Sequence, residues 1–339
     1  MKNASGICSP SMPFEESKIL LVAVYSTVFA LGLPANCLTV FLTWVQIRKK
    51  NVLAVYLFSL SFCELLYLST LPLWIIYVQN NHKWEMGSLA CRITGYIFFC
   101  NIYISILLLC CISLDRYMAM TYALECRGIR QQKTAMFVTL ALFVVVLAIH
   151  APVFSIEDGT ETQNHTTCFE TLPLTHNLAY FSFARFLVGL VAPFTILIFT
   201  NYKIFRRAKT SCGLNVHQKA KVKYLAIAII TIFLVCFAPY NIVLLIRAIH
   251  FTLHPKDSCP FERSIYTTYV VFFCLSTVNS IADPIIYVLA SENVRKEMWR
   301  WLREWRSQSS FNLFPVPEGL HPAHLTPSCT PSRAGGASV

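Results

Sequence analysis

An all-α membrane protein, a seven-transmembrane helix bundle with a short amphipathic eighth helix, is the fold that three observations predict. Hydrophobic residues fill 55% of the 339 positions and charged residues only 13%, about half the charged share of a soluble domain. Apolar stretches recur seven times, at Ile19–Ile47, Val52–Val78, Cys91–Tyr122, Thr134–Phe154, Leu178–Phe199, Leu225–Ile249 and Ser264–Ala290. The basic residues behind the net charge of +11 gather in alternate connections: Arg48 to Lys50, Arg127 to Lys133, Lys203 to Lys223, and Arg295 to Arg306. That asymmetry marks the cytoplasmic face of a membrane rather than a nucleic-acid surface. It sets the N-terminus outside the cell, in a multi-pass protein of the plasma membrane.

Residues 1–17, with Pro10 and Pro13, are too short to fold alone and read as an extracellular tether. They lack a basic start followed by an apolar run, so the first span is expected to act as a signal anchor. The bundle occupies 18–290. In its first span Pro34 frees a backbone carbonyl that neighbours must satisfy, and Asn36 is the polar group at hand. The second span buries Glu64, where ionisation without a partner is costly. The third carries no formal charge between Arg92 and Asp115, a run long enough at about 1.5 Å per residue to cross about 30 Å of hydrocarbon. It ends in Asp115-Arg116-Tyr117, and an acid beside a base where a span leaves lipid points to function.

The fourth span carries no charge and closes near His150. The fifth holds Arg185, eight residues before Pro193; a lone arginine there faces a polar cavity or snorkels, and we favour the cavity. The sixth is expected to kink at Pro239, with Arg247 eight residues on. The seventh brings a second buried acid, Asp283, beside Pro284. Residues 291–305 set Val294, Met298, Trp301, Leu302 and Trp305 against Arg295, Lys296, Arg300 and Arg303, as in a helix lying on anionic lipid. Residues 306–339, rich in Pro, Ser, Thr and Gly, read as a disordered cytoplasmic tail.

Of fourteen cysteines, only Cys8, Cys91, Cys168 and Cys259 fall on the oxidising side, which allows three pairings. Asn3 and Asn164 head glycosylation sequons on the same side. The chain has no His-Glu-x-x-His, Gly-x-Ser-x-Gly or Cys-x-x-Cys and no paired broken helices. An enzyme, a transporter, a metal site or a cofactor is therefore not expected.

Taken in order, Gly32 to Asn36, Cys91 with Cys168, Asp115-Arg116-Tyr117, Pro193, Phe233 to Pro239, and Asp283-Pro284 to Tyr287 resemble the rhodopsin-like G-protein-coupled receptors. The resemblance implies a Cys91–Cys168 bridge. It implies that Arg116, held by Asp115 at rest, inserts toward a heterotrimeric G protein once the sixth helix swings outward about Pro239. Phe233, Phe237, Asp283, Pro284 and Tyr287 would relay that switch, and Glu64, Asp283 and Asn36 would form the polar centre where many relatives hold sodium. Arrestin and receptor kinases are implied partners of the tail. This chain departs from the pattern at Glu64 (usually aspartate), Phe237 (usually tryptophan), Asn201 (usually tyrosine) and Phe143 (usually tryptophan).

A narrower similarity, carried by Ile97 to Ile106, Leu109 to Ser113, Tyr122 to Gly128, Gln218 to Lys223 and Val235 to Tyr240, is to the proton-sensing and lysolipid receptor group. It implies a second bridge, Cys8–Cys259, and an acidic lipid ligand such as an oxidised free fatty acid.

The residues themselves favour that ligand over an amine, because Phe98 and Phe99 stand where an amine receptor needs a carboxylate. Arg185 and Arg247 supply charge-assisted donors, and Phe98, Phe99, Tyr103, Tyr266, Tyr269 and Phe272 supply an aromatic lining. The rival trigger is the proton: His82, His150, His165, His176, His250 and His254 lie toward the outside and titrate near pH 6.5 when unperturbed. A proton could also neutralise the buried pair Glu64 and Asp283. Val146 and Asn241 replace a glutamate and a histidine of that group, so pH is expected to modulate rather than drive.

Overall fold

In lipid every backbone polar group needs a partner within the chain, and helices supply it. The computed structural model describes residues 14–121, 130–155, 161–162, 165–168, 174, 176–210, 216–290, 300 and 303–304. Among them seven helices are long and apolar enough to cross a membrane: α1 (Glu15–Arg48), α2 (Val52–Gln79), α3 (Ser88–Thr121), α4 (Gln132–His150), α5 (His176–Lys209), α6 (Lys219–Leu253) and α7 (Ser258–Leu289). These agree with the seven predicted stretches, and most outrun them. α5 and α6 continue into the basic connection because lysine and arginine are good helix formers with solvated ends. α1 opens at Phe14, inside the segment read as tether.

α3 is the central post. Ile104, Ile106, Leu108, Leu109 and Ile112 are at most 1% exposed, because neighbours cover the helix on all sides. α4 is peripheral: it buries one stripe, Ala135, Thr139, Val146 and His150, at the spacing of a single helical face. Phe137, Leu140 and Val144 point outward, as a lipid-facing surface requires.

Four helices are interrupted, α7 at Thr277 and Val278, between Ser276 and Asn279. α2 breaks between Leu68 and Leu71, where Ser69 and Thr70 hydroxyls bond back to Leu66 and Tyr67 carbonyls ahead of Pro72. In α5 and α6 a five-residue π-helical turn, Leu187–Val191 and Phe233–Phe237, sits just before Pro193 and Pro239. Proline lacks an N–H and crowds the carbonyl four residues back. The chain answers by bonding the N–H of Ala192 to Leu187 and that of Ala238 to Phe233, five residues back. This wide turn is the form that the expected break at Pro239 takes. One feature outside the all-α expectation is a two-stranded antiparallel hairpin, β1 (Glu161–Thr162) with β2 (His165–Thr166), in the second outer connection.

The chain divides into two units, residues 1–295 and 296–339. In the second, Arg300, Arg303 and Glu304 are helical; the rest of the predicted amphipathic helix and the tail lie outside the described residues. So do Asn3, Asn164 and Cys8.

Candidate functional site

The end of the bundle where α3 begins is pinned by a disulfide between Cys91 and Cys168, the pairing that the resemblance implied. The backbone N–H of Cys168 also donates to the Tyr77 hydroxyl at 3.2 Å. Cys259, opening α7, is likewise disulfide-bonded.

Arg185, on the last turn of α5 before its π-helical stretch, has its guanidinium over three aromatic rings: Phe99 at 4.2 Å, Phe181 at 4.5 Å and Tyr103 at 5.9 Å. No carboxylate pairs with it among the described residues, and its Nε is buried without a hydrogen-bond partner. Rings stabilise a cation through their π faces yet leave its directional donors unused. His150 lies against the same rings, 4.9 Å from Tyr103 and 6.1 Å from Phe181. Its Nδ1 is 2.9 Å from the Val146 carbonyl, which can only accept, so Nδ1 carries the hydrogen.

Phe99 also walls a cavity of about 60 Å³ among α1, α2, α3 and α7, lined by Tyr25, Trp74, Tyr77, Phe98 and Phe273 among others. The lining is mainly apolar, with His82 and the tyrosines Tyr25, Tyr77 and Tyr269 as its polar side chains. Of the aromatic residues read from the sequence, Phe98, Phe99 and Tyr269 line this cavity, Tyr103 sits under Arg185, and Tyr266 packs on His82 at 6.5 Å. Phe272 does not line it; its neighbour Phe273 does, since adjacent residues on a helix point about 100° apart.

Arg247 has a different setting. Its Nε donates to Glu262 of α7 at 2.8 Å, both side chains are under 10% exposed, and the guanidinium lies 4.3 Å over Tyr269. The structure does not bring Arg247 together with Arg185 as a second open donor. Its charge is already matched.

Halfway through the bundle, Glu64 accepts four hydrogen bonds. Oε1 takes them from Ser105 (2.7 Å) and Asn279 (2.9 Å), and Oε2 from Asn101 (3.2 Å) and Ser280 (2.5 Å). Asn36 donates to the carbonyls of Gly32 and Ser280, so α1, α2, α3 and α7 meet in one polar hub. Asp283 adjoins Glu64 closely enough for the two carboxyls to interact, but neither of its oxygens meets a donor among the described residues. An orphaned carboxylate beside a saturated one suits a cation or a proton.

At the opposite end of the bundle, near the end of α3, Asp115 is 1% exposed and carries two guanidiniums. Arg116 bonds to Oδ2 through Nε (3.1 Å) and Nη2, while Arg130 bonds to Oδ1 through Nε (2.8 Å) and to Oδ2 through Nη2 (3.2 Å). Tyr117 packs edge-on to Phe199 of α5 at 6.0 Å. Phe233 and Phe237 are fully buried, their rings 6.4 Å apart, with Phe194 stacked on Phe233. Asn201 donates to the Ala226 carbonyl at 3.3 Å and so ties α5 to α6. Tyr287 is buried, and Pro239 and Pro284 are half-buried.

Sequence reasoning missed Glu262, Phe181, Arg130 and the donors around Glu64. Only Glu262 had a usable signal: an acid close to the start of an apolar span, opposite an arginine in the span before it.

The chain matches the family described as "7 transmembrane receptor (rhodopsin family)" over residues 35–287. It is 52% identical over 302 residues to Probable G-protein coupled receptor 132 of Homo sapiens, covering 88% of this chain and 78% of that protein. It is 33% identical over 282 residues to G-protein coupled receptor 68 of Homo sapiens (83% and 76%). To G-protein coupled receptor 65 of Homo sapiens it is 30% identical over 292 residues (84% and 86%). With seven membrane-length helices and a match across most of the bundle, this chain belongs to the rhodopsin family of seven-transmembrane, G-protein-coupled receptors.

Proposed function

We propose that this receptor responds to an acidic lipid, an oxidised free fatty acid or a lysolipid-like molecule, whose anionic head pairs with Arg185. The observation that carries the reading is an arginine caged by Phe99, Phe181 and Tyr103 with no acid beside it among the described residues. A carboxylate supplies the directional acceptor that the rings cannot. Phe99 touches both the arginine and the apolar cavity, so a chain leaving the headgroup has an aromatic path inward. Arg247, matched by Glu262, braces the wall instead.

Ligand binding would shift the population toward a state in which α6 moves outward about the wide turn before Pro239. Phe233, Phe237, Asp283, Pro284 and Tyr287 would repack, and Arg116 would leave Asp115 for the G protein. The N-terminus and the sequons Asn3 and Asn164 would be extracellular, Cys8 would pair with Cys259, and the tail would recruit arrestin after receptor kinases act.

The test is G-protein activation by an oxidised C18 fatty acid in cells expressing the receptor at matched surface levels. Arg185→Ala should move the dose response to at least roughly tenfold higher concentration. An undiminished response removes the headgroup assignment.

Asp283 favours a second reading, modulation by protons. Its carboxyl interacts with that of Glu64 and among the described residues makes no hydrogen bond of normal geometry, so a proton would remove a buried repulsion. A sodium ion held by Asp283 and Glu64 would neutralise the same charge. A proton on His150, by contrast, would set a second cation against the rings that hold Arg185. The Asp283→Asn variant should therefore flatten any change in basal signalling between pH 7.4 and pH 6.5, and a persisting pH response would move the sensor to the outer histidines.

A further inference from the structure

The inner end of α3 departs from a simple acid–base pair in one respect: Asp115 is shared. Arg130, the residue before the N-terminal cap of α4, grips both of its oxygens, at 2.8 and 3.2 Å, while Arg116 holds Oδ2 alone. The Asp115 side chain is 2% exposed, against 18% for Arg116 and 31% for Arg130, so the carboxylate is the buried member and the two guanidiniums reach it from the rim. Helix α6 offers Arg116 no competing acid, since Lys219–Leu253 contains neither aspartate nor glutamate. Asp115 is therefore the one anion that holds Arg116 among the described residues. Two residues on from Arg130 the start of α4 is anchored: Gln132 donates to the Ile47 carbonyl near the end of α1, at 3.0 Å.

Removing one partner of a buried ion pair is costly mainly because the other charge is stranded. If Arg116 left an Asp115 that had no other cation, the receptor would bear that cost in its active state. We infer that Arg130 is a positioning residue for activation, the counter-ion to which Asp115 is handed over when Arg116 departs. At rest the second guanidinium also competes for Oδ2 and loosens the hold on Arg116. Both effects have the same sign: Arg130 eases release. This inference rests on the reading that Arg116 leaves Asp115 during the switch.

The experiment is guanine-nucleotide exchange on purified heterotrimers, catalysed by full-length receptor in nanodiscs, first without agonist and then with an oxidised C18 fatty acid as probe. The comparison set is wild type, Arg130→Gln, Arg130→Lys, Asp115→Asn and the double variant Asp115→Asn with Arg130→Gln. Arg130→Gln should lower agonist-free exchange by roughly fivefold or more and move the probe's dose response to higher concentration. Arg130→Lys should keep most of the activity, which also covers the case in which the glutamine variant fails to fold. In the Asp115→Asn background, Arg130→Gln should change nothing, because no carboxylate remains to be stranded.

A rise in exchange with Arg130→Gln would make Arg130 a clamp on the resting state and overturn the proposal. An equal loss in both backgrounds would overturn it as well, by moving Arg130's role to the G-protein surface. Failure of the underlying switch has its own signature: Asp115→Asn alone would leave exchange at the wild-type level, and the hand-over would fall with it.

Discussion

The first half of α5 and the second half of α6 are near mirror images in sequence and unlike in chemistry. Each carries an arginine eight residues from a proline, and each has a five-residue π-helical turn followed by Ala-Pro. Yet Arg247 is matched by a buried carboxylate, while Arg185 is held by rings alone among the described residues. The difference teaches that an arginine inside a span is scaffold or receptor site according to what its neighbours supply. A matched charge has no need of a ligand. An arginine stabilised only through its ring faces retains donors that an anion can use.

The largest expected effect comes from breaking the matched side. Glu262→Gln strands the Arg247 guanidinium in an apolar setting and should destabilise the receptor by about 3–5 kcal/mol, seen as a fall in surface expression and in the thermal midpoint of solubilised protein. Replacing both members, Arg247→Leu with Glu262→Leu, should recover much of that loss. If Glu262→Gln instead left stability intact and improved lipid potency, Arg247 would join Arg185 as a ligand group.

On the open side the expectation reverses. Arg185→Ala should leave the thermal midpoint near wild type while the potency of an oxidised C18 fatty acid falls by roughly 10- to 150-fold, the range for a hydrogen bond to a charged group. A stability loss as large as that of Glu262→Gln would mean that Arg185 has an internal partner after all.

What could be read without coordinates divides along the same line. The seven spans and the break at Pro239 follow from local rules, apolar length and the missing N–H of proline, whereas the Cys91–Cys168 bridge was implied by the resemblance, since compartment alone left three pairings open. The candidate residues were legible by type, because an ionisable side chain within lipid is costly wherever it falls. Partners were not legible. Glu262 stands fifteen positions from Arg247 and Asn279 more than two hundred from Glu64, and only the packing of helices brings each pair together. Helical phase was equally out of reach, which is why Phe272 was taken for a lining residue in place of Phe273.

Where the two helices touch, a smaller effect is expected. A Cβ on Gly189, within the π-helical turn of α5, would fall 2.8 Å from Asn241 Oδ1 of α6 and 2.9 Å from Tyr103 Cε1. Gly189→Ala should therefore cost about 1–3 kcal/mol by overpacking, and Asn241→Ala should relieve part of it in the double variant. Additive losses would show that the two positions do not press on one another.

The finest test separates the ring cage from the charge. Phe181 lies 4.5 Å from the Arg185 guanidinium and does not line the apolar cavity, so Phe181→Leu removes a π face while keeping bulk and leaving the proposed chain path alone. Cation–π contacts contribute about 0.5–2 kcal/mol. If the cage holds the guanidinium still for an incoming carboxylate, potency should fall by roughly threefold, within that range. The methyl ester of the same fatty acid, which has no anion to place, should be weak on both receptors and indifferent to Phe181. Equal losses for acid and ester would assign Phe181 to the general shape of the pocket. A gain for the acid would mean that the rings compete with the ligand for Arg185, and the contrast between the two arginines would then rest on Glu262 alone.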